Sequence, residues 1–182
     1  IGLFFGSFDP IHNGHIQIAN NPYFVQFDQI WFLVTPESPF KKGKIIASFY
    51  DRLEMVKLSI SDNKKFVPSD LENQLSPPYY TANTLSFLQA KYSNYSFEII
   101  MGSDNYLSLL NGDWYKADYI LNNFRIIIYP RDQRIIEPNP LLTVISSDLI
   151  ELSSTSIRLS LSDSFDCINK LPLPPLVKEY IK

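Results

Sequence analysis

Both histidines of the chain, His12 and His15, lie in the segment Gly-Ser-Phe-Asp-Pro-Ile-His-Asn-Gly-His, residues 6–15. The apolar residues 1–5 before it are typical of a buried strand, and the residues after it begin a helix. Two imidazoles three residues apart share one face of that helix start, where backbone N–H groups and the helix dipole already favour an anion. Gly6 and the serine after it let a ligand approach the backbone closely. This segment suits the binding of a triphosphate.

Two simpler interpretations of the histidine pair remain open at this point. The pair could simply lie on the protein surface near a helix start, without a functional role. It could also bind a metal ion, because Asp9, His12 and His15 are plausible ligands, but the chain has no further histidine and only one cysteine to complete a shell.

Two later junctions repeat the arrangement of the first segment. The apolar residues 97–101 predict a strand, followed by Gly102 and Asp104 at the start of a helix. Hydroxyl side chains at residues 153–156 precede another helix, with Arg158 one turn further on. Hydroxyls, backbone N–H groups and a guanidinium suit phosphate oxygens. Each feature also has a structural explanation, since hydroxyls cap helices and a carboxylate favours a helix N-terminus.

A lysine-rich loop follows the second predicted strand. Residues 37–44 contain Lys41, Lys42 and Lys44. The loop is interpreted either as a solvated surface segment or as a flexible cationic flap over phosphates.

The elements that must position these residues alternate along the chain. Apolar runs of strand length occupy residues 30–35, 65–67, 97–101, 124–129 and 142–145, and helical patterns occupy residues 48–60, 81–92, 114–121 and the last residues of the chain. This alternation predicts an α/β, Rossmann-like parallel sheet with helices on both faces, in a single domain over residues 1–182. Right-handed crossovers would bring the three junctions to one edge of the sheet.

Three residues of the predicted helices have a structural interpretation. Ser48 and Asp51 resemble a capping box at the start of the helix over residues 48–60. Arg52 is assigned to the polar side of that helix, in a structural role. Thr81 is predicted to be the N-cap of the next helix.

Composition and motif spacing exclude several classes of protein. The 182 residues carry a net charge of −3, which argues against a general nucleic-acid binder. No apolar run reaches the length of a membrane span. The single cysteine, Cys167, fits the reducing cytoplasm, where we expect the protein. No Gly-x-Gly-x-x-Gly follows the first strand, and Gly43-Lys44 lacks the rest of a P-loop.

Residues 6–15 resemble the signature G-[ST]-F-[DN]-P-x-H-x-G-H of nucleotidyltransferases that transfer AMP from ATP, and most closely that of the nicotinate mononucleotide adenylyltransferases. Later stretches are similar to further motifs of that family. They are residues 38–42 (N-P-F-K-K), 78–85 (S-Y-T-x-x-T-L), 100–105 (I-x-G-x-D-[NS]), Trp114, and 152–158 (I-S-[ST]-T-x-I-R). The sequence departs from these motifs at Tyr79, which replaces Ser, at Leu152, which replaces Ile, and at Phe40 or Lys41, where other members carry His.

The resemblance implies a reaction of ATP with nicotinate mononucleotide that gives nicotinate adenine dinucleotide and pyrophosphate, as a step of NAD biosynthesis. The substrate's phosphate would attack the α-phosphorus of ATP directly. Mg²⁺ would be bound mainly through the ATP phosphates and water, with no metal-binding residues of the protein's own. Partners would be ATP and nicotinate mononucleotide, without nucleic acid or membrane, and a homo-oligomer stays open.

The resemblance also implies a role for each matching residue. The catalytic residues would be His12, His15, Lys42 and Arg158. The ATP-binding residues would be Gly6, Ser7, Phe8, His12, His15, Gly102, Asp104, Ser154, Thr155 and Arg158. The pyridine nucleotide would be bound by Tyr80, Thr81, Asp104 and Trp114, with the indole stacked on the pyridine ring.

Three hypotheses about activity remain open on the sequence. The first is the nicotinate mononucleotide adenylyltransferase. The second is adenylyl transfer to another acceptor, such as nicotinamide mononucleotide or pantetheine phosphate. The third is a nucleotide-binding regulator that has kept the fold without the activity.

Overall fold

In the described part of the chain, six parallel strands form a central sheet with the spatial order β3-β2-β1-β4-β5-β6. They are β1 (Gly2–Gly6), β2 (Ile30–Val34), β3 (Phe66–Ser69), β4 (Glu98–Gly102), β5 (Arg125–Tyr129) and β6 (Leu142–Val144). The computed structural model describes residues 1–37, 43, 45–132, 134, 136, 140–146 and 152–182. The parallel sheet predicted from the continuous apolar runs is confirmed.

Helices cover both faces of the sheet. They are α1 (Asn13–Ala19), α2 (Phe49–Ile60), α3 (Thr81–Lys91), α4 (Ser103–Leu110), α5 (Ala117–Asn123), α6 (Ser154–Asp163) and α7 (Pro175–Ile181). Two hydrophobic clusters separate the faces: residues of α1, α2, α6 and α7 pack on one side, and residues of α3, α4 and α5 pack on the other. The described helices include none with the length and apolar character needed to cross a membrane.

The central strands β1 and β2 are apolar throughout because both of their faces are covered. Side chains that follow one another along a strand point to opposite faces. Leu3 accordingly packs with the α3–α5 side and Phe4 with the α2 side, and both are almost fully buried. A strand with polar residues at alternate positions could not occupy this place.

The order of the strands creates a crevice at the carboxyl end of the sheet. The chain leaves β1 to pair with β2 on one side, and it later returns to pair β4 with β1 on the other side. Ligands of open α/β sheets bind at such a reversal of strand order, outside the carboxyl ends of the strands. The turn after β1 and the start of α4 after β4 both lie at this point.

Two predictions about helix positions are wrong and one is confirmed. Ser48 caps α2 as predicted, because its hydroxyl accepts a hydrogen bond from the Asp51 N–H at 3.2 Å. Thr81 is the first residue of α3, and the N-cap is Tyr80. Arg52 does not lie on a polar side: it is only 1% exposed, because the buried face of α2 runs through Arg52, Met55, Val56 and Ile60.

Candidate active site

A cavity of about 430 Å³ opens at the carboxyl end of the central strands. This volume falls within the usual range for small-molecule sites. Its walls come from the turn after β1, the starts of α1, α4 and α6, and the end of β5. The lining includes Gly6, Ser7, Phe8, Asp9, His12, His15, Asp104, Asn105, Tyr129, Arg131, Ser153, Ser154, Thr155 and Arg158. The three junctions singled out in the sequence therefore meet in one place.

The backbone at the start of α1 fixes the orientation of the His15 ring. The N–H of His12 donates a hydrogen bond to Nδ1 of His15 at 3.2 Å, as the N-cap N–H does to the N3 side chain in a capping box. Because Nδ1 is the acceptor, the neutral ring carries its proton on Nε2. The two imidazole rings are tilted by 33° to each other, with centroids 3.8 Å apart. His15 is therefore able to donate a hydrogen bond through Nε2.

His12 is the buried member of the pair. It is 4% exposed, and its Nδ1 accepts no hydrogen bond and donates none within the described part of the chain. Burial, with a smaller contribution from the charge of Arg131, lowers the pKa of His12 to about 4. The ring is therefore neutral at pH 7, and an anion in the cavity would give its unpaired nitrogen a partner.

The burial of His12 makes the stability of the unliganded protein sensitive to acid. The pKa rises from about 4 in the folded chain to the ordinary value of 6.5 on unfolding, so protonation favours the unfolded state. This stability is fully present above pH 6.5 and is lost as the pH falls toward 4. We expect the free energy of unfolding to lose about 2 kcal/mol between pH 7 and pH 5 through this group.

The measurement is urea unfolding at several pH values for the wild-type protein and His12→Gln. Glutamine keeps a polar side chain and does not titrate. The wild-type protein should lose more stability than the variant between pH 7 and pH 5. If the free energy of unfolding falls by the same amount in both proteins, His12 is not the group responsible for the loss of stability.

The turn after β1 has a backbone conformation that few side chains adopt. Phe8 has φ of 47°, in the left-handed region, and its ring is almost fully buried. That ring lies over Gly6, where an added Cβ would come within 2.8 Å of it. The sequence predicted that Gly6 leaves room for a ligand. The structure shows that the close approach at Gly6 is made by Phe8.

Two side chains of α6, Ser154 and Arg158, contact the first motif. Ser153 caps the helix by accepting a hydrogen bond from the Ser156 N–H at 3.1 Å. The Ser154 hydroxyl donates to the carbonyl of Pro10 at 2.9 Å. Arg158 donates to the carbonyl of Asp9 at 2.5 Å and lies 3.3 Å from the Thr155 hydroxyl. These contacts join α6 to the turn after β1, although more than 140 residues separate them.

Asp9 holds three segments together with one buried carboxylate. Its two oxygens accept hydrogen bonds from the N–H groups of Ile46 and Ala47, at 2.9 and 3.0 Å. One of them also lies 3.5 Å from a guanidinium nitrogen of Arg158. The carboxylate is therefore used in the structure itself. Over the described ranges, no group of three or more His, Cys, Asp and Glu side chains is arranged to hold a metal ion.

Asp104 and Arg131 form a further part of the cavity wall. Asp104 lies in the first turn of α4, and its carboxylate is 3.9 Å from Nε of Arg131. Gly102 makes room for this pair, because a Cβ there would come within 2.7 Å of both side chains. Gly102 itself does not line the cavity. Arg131 was not predicted, although its position directly after β5 and Pro130 would have indicated this edge of the sheet.

Three of the other predicted residues do not line the described cavity. Tyr80 stacks on Tyr115, with ring centroids 4.6 Å apart, and Thr81 begins α3. Trp114 is half-buried and packs against the hydrophobic cluster on the α3–α5 side. None of Tyr80, Thr81 and Trp114 lines the described cavity. Lys42 lies outside the described residues.

The likeness to known proteins agrees with this architecture. Residues 3–160 match the sequence model of the family described as cytidylyltransferase-like. A protein of Flavobacterium johnsoniae named "Probable nicotinate-nucleotide adenylyltransferase" is 42% identical over all of this chain and 95% of its own length. A protein of the same name from Bacteroides fragilis is 38% identical, over 91% of this chain and 83% of its own.

Solved structures share the fold. The Plasmodium falciparum nicotinic acid mononucleotide adenylyltransferase, complexed with NaAD, superimposes with a TM-score of 0.78 over 99% of this chain and 93% of its own, at 22% identity. A structure described as a putative nicotinate-nucleotide adenylyltransferase from Vibrio parahaemolyticus gives a TM-score of 0.72 over 100% of this chain and 97% of its own, at 21% identity. Sheet, cavity and sequence lead to the same assignment: this chain belongs to the cytidylyltransferase-like family and, within it, to the nicotinate-nucleotide adenylyltransferases.

Proposed function

We propose that this nicotinate-nucleotide adenylyltransferase carries out its reaction in the cavity at the carboxyl ends of β1 and β4. AMP passes from ATP to nicotinate mononucleotide, which gives nicotinate adenine dinucleotide and pyrophosphate. A single observation carries the proposal: His12, His15, Ser154, Thr155 and Arg158 line one cavity beside the turn after β1. Imidazoles, hydroxyls and a guanidinium are the groups that bind a polyphosphate.

The reaction needs no covalent intermediate with the protein. An oxygen of the 5′-phosphate of nicotinate mononucleotide attacks the α-phosphorus of ATP, and the bond from that phosphorus to the bridging oxygen breaks. The electron pair leaves with pyrophosphate. Catalysis then consists of positioning two charged reactants and stabilising the charge that develops on the phosphate oxygens.

The side chains divide this work by their place in the cavity. His15 donates through Nε2 to a phosphate oxygen. The phosphate also gives a partner to Nδ1 of His12, which is otherwise unpaired among the described residues. Arg158, with Ser154 and Thr155 at the start of α6, binds the leaving pyrophosphate end. Lys42 is proposed to add a positive charge from the loop after β2.

The remaining predicted residues are assigned to the nucleoside parts of the substrates. The backbone of Gly6, Ser7 and Phe8 would bind ATP, and Asp104, for which the small Gly102 leaves room, would bind ribose hydroxyls. Tyr80, Thr81 and Trp114 would bind the pyridine nucleotide. Because they lie outside the described cavity, this part of the proposal rests on the motif match alone.

Magnesium fits this site as a companion of ATP. The carboxylate of Asp9 is already bound to two N–H groups, so it offers Mg²⁺ no ready ligand. The ion would be held by phosphate oxygens and water, which is how Mg²⁺ commonly binds with nucleotides. When bound, it neutralises phosphate charge. We place the reaction in the cytoplasm, which the single cysteine supports.

The test is a panel of acceptors with ATP and Mg²⁺, with pyrophosphate release as the measurement. We expect turnover with nicotinate mononucleotide to exceed that with nicotinamide mononucleotide and pantetheine phosphate. Trp114→Ala should raise the KM of the pyridine nucleotide and leave the KM of ATP unchanged. Faster turnover with either other acceptor would contradict the proposed substrate, and no turnover with any acceptor would favour a regulator.

A further inference from the structure

The hydrogen-bond ladder between strands β1 and β2 ends where the two strands begin to diverge. Gly6 and Val34 are the last paired residues, and the N–H of Thr35 then donates to the carbonyl of Gly6 at 2.9 Å. Beyond this point β1 leads into the turn that lines the cavity and β2 leads into the lysine loop. The carbonyls of Ser7 and Thr35 lie past the ladder, where a buried carbonyl needs another donor.

Arg52 supplies that donor from helix α2. Its Nη1 donates to the carbonyls of Ser7, at 2.6 Å, and Thr35, at 2.8 Å. Nη2 donates to the carbonyl of Pro36 at 2.8 Å, and Nε donates to that of Ala47 at 3.2 Å. One guanidinium thus binds four carbonyls from three separate segments, and within the described residues no carboxylate lies within 4.0 Å of it.

Asp9 binds the same residue, Ala47, that Arg52 binds. Its carboxylate binds the N–H of Ala47, while Arg52 binds the carbonyl of the same residue. The segment that leads into α2 is therefore fixed by both of its polar backbone groups. Asp9 also contacts Arg158, so the contacts of Arg52 continue, through Ala47 and Asp9, to the phosphate-binding side chain on α6.

The direction of the Ser7 carbonyl matters for an anion in the cavity. A phosphate is attracted by backbone N–H groups and repelled by carbonyl oxygens. Ser7 lines the cavity, but its carbonyl is bound to Arg52, which does not. A turn without this contact would be free to rotate the carbonyl toward the phosphates. Phe8, in its left-handed conformation, follows directly and depends on the same turn.

We propose that Arg52 is a positioning residue for ATP: its guanidinium holds the Ser7 turn with the carbonyl directed away from the phosphates, and it never contacts the nucleotide. The inference rests on the proposed function, since ATP is the ligand. It differs from a purely structural role, in which Arg52 would stabilise the core and leave the affinity for ATP unchanged in the folded protein.

The test is Arg52→Lys, with Arg52→Met as a second variant. Lysine keeps the charge, but its donors radiate from one atom and cannot span carbonyls on three segments. We expect the KM for ATP to rise at least tenfold, with a smaller change in the KM of nicotinate mononucleotide. The dissociation constant of a non-hydrolysable ATP analogue, measured by calorimetry, should rise by a similar factor.

The matched controls are Ile60→Val and Ile60→Ala, at the far end of the same buried face of α2. Whichever of them has the thermal midpoint nearest to that of Arg52→Lys serves for comparison. If the control and Arg52→Lys bind the analogue equally well, the inference is overturned. It is also overturned if both Arg52 variants fail to fold, because Arg52 is then required for folding itself.

A wrong assignment of the proposed function can be distinguished from a wrong assignment of Arg52. If the function is wrongly assigned, the wild-type protein does not turn over nicotinate mononucleotide. The calorimetric comparison of ATP-analogue binding still decides the role of Arg52.

Discussion

Replacing His15 with alanine is expected to lower kcat on the order of 10²–10³-fold, the usual effect of removing one donor that stabilises the transition state. His15 donates through Nε2, because its Nδ1 is bound to the N–H of His12. Alanine removes the donor, and no other residue on the first turn of α1 replaces it. Steady-state pyrophosphate release at saturating ATP and acceptor measures the effect.

The same substitution also removes a hydrogen bond from the start of α1. That loss costs about 1 kcal/mol, which lowers the thermal midpoint by a few degrees and leaves the protein folded. Gln17→Ala is the control, because Gln17 is exposed on the same helix and lies outside the cavity. A His15→Ala protein that unfolds at room temperature, or one that keeps wild-type kcat, is incompatible with a phosphate-binding role.

Arg158→Lys is expected to lower kcat/KM for ATP by about 10²-fold. The guanidinium contacts the carbonyl and the carboxylate of Asp9 and also reaches Thr155. An ammonium has no planar fork, so it cannot keep the Asp9 contacts and present a second pair of donors to pyrophosphate. Kinetics with ATP as the varied substrate measure the change.

Arg125→Lys is the control for this substitution, because Arg125 is exposed at the start of β5, away from the cavity. It should keep wild-type kinetics. The thermal midpoint of Arg158→Lys should fall only slightly, since Asp9 retains its two N–H donors. If Arg158→Lys and Arg125→Lys give the same kcat/KM, Arg158 serves the fold and not the phosphates.

The sheet and the convergence of the junctions could be predicted because they follow from local patterns. Continuous apolar strands that alternate with helices leave few arrangements other than a covered parallel sheet. Ser48 and Ser153 were recognisable as caps, since a hydroxyl before an apolar periodic run has a local function. The cavity then follows from the topology, because parallel strands end at one edge.

Arg52 could not be placed in this way. Its helix repeats apolar residues at spacings that assign the arginine to the polar side. It is buried only because carbonyls from three distant segments surround it. Arg131 was missed for a similar reason: its approach to Asp104 depends on the pairing of β4 and β5 and on the absence of a side chain at Gly102.

β1 pairs with β2 on one side and with β4 on the other, so the strand that leads into the first motif is completed only after β4 has been made. Its partner β4 begins at Glu98, and the last wall of the cavity comes from α6, which begins at Ser154. A growing chain that has exposed both histidines still lacks Arg131 and Arg158. Translation must therefore proceed past Arg158 before the nascent protein has all the described walls of its nucleotide cavity.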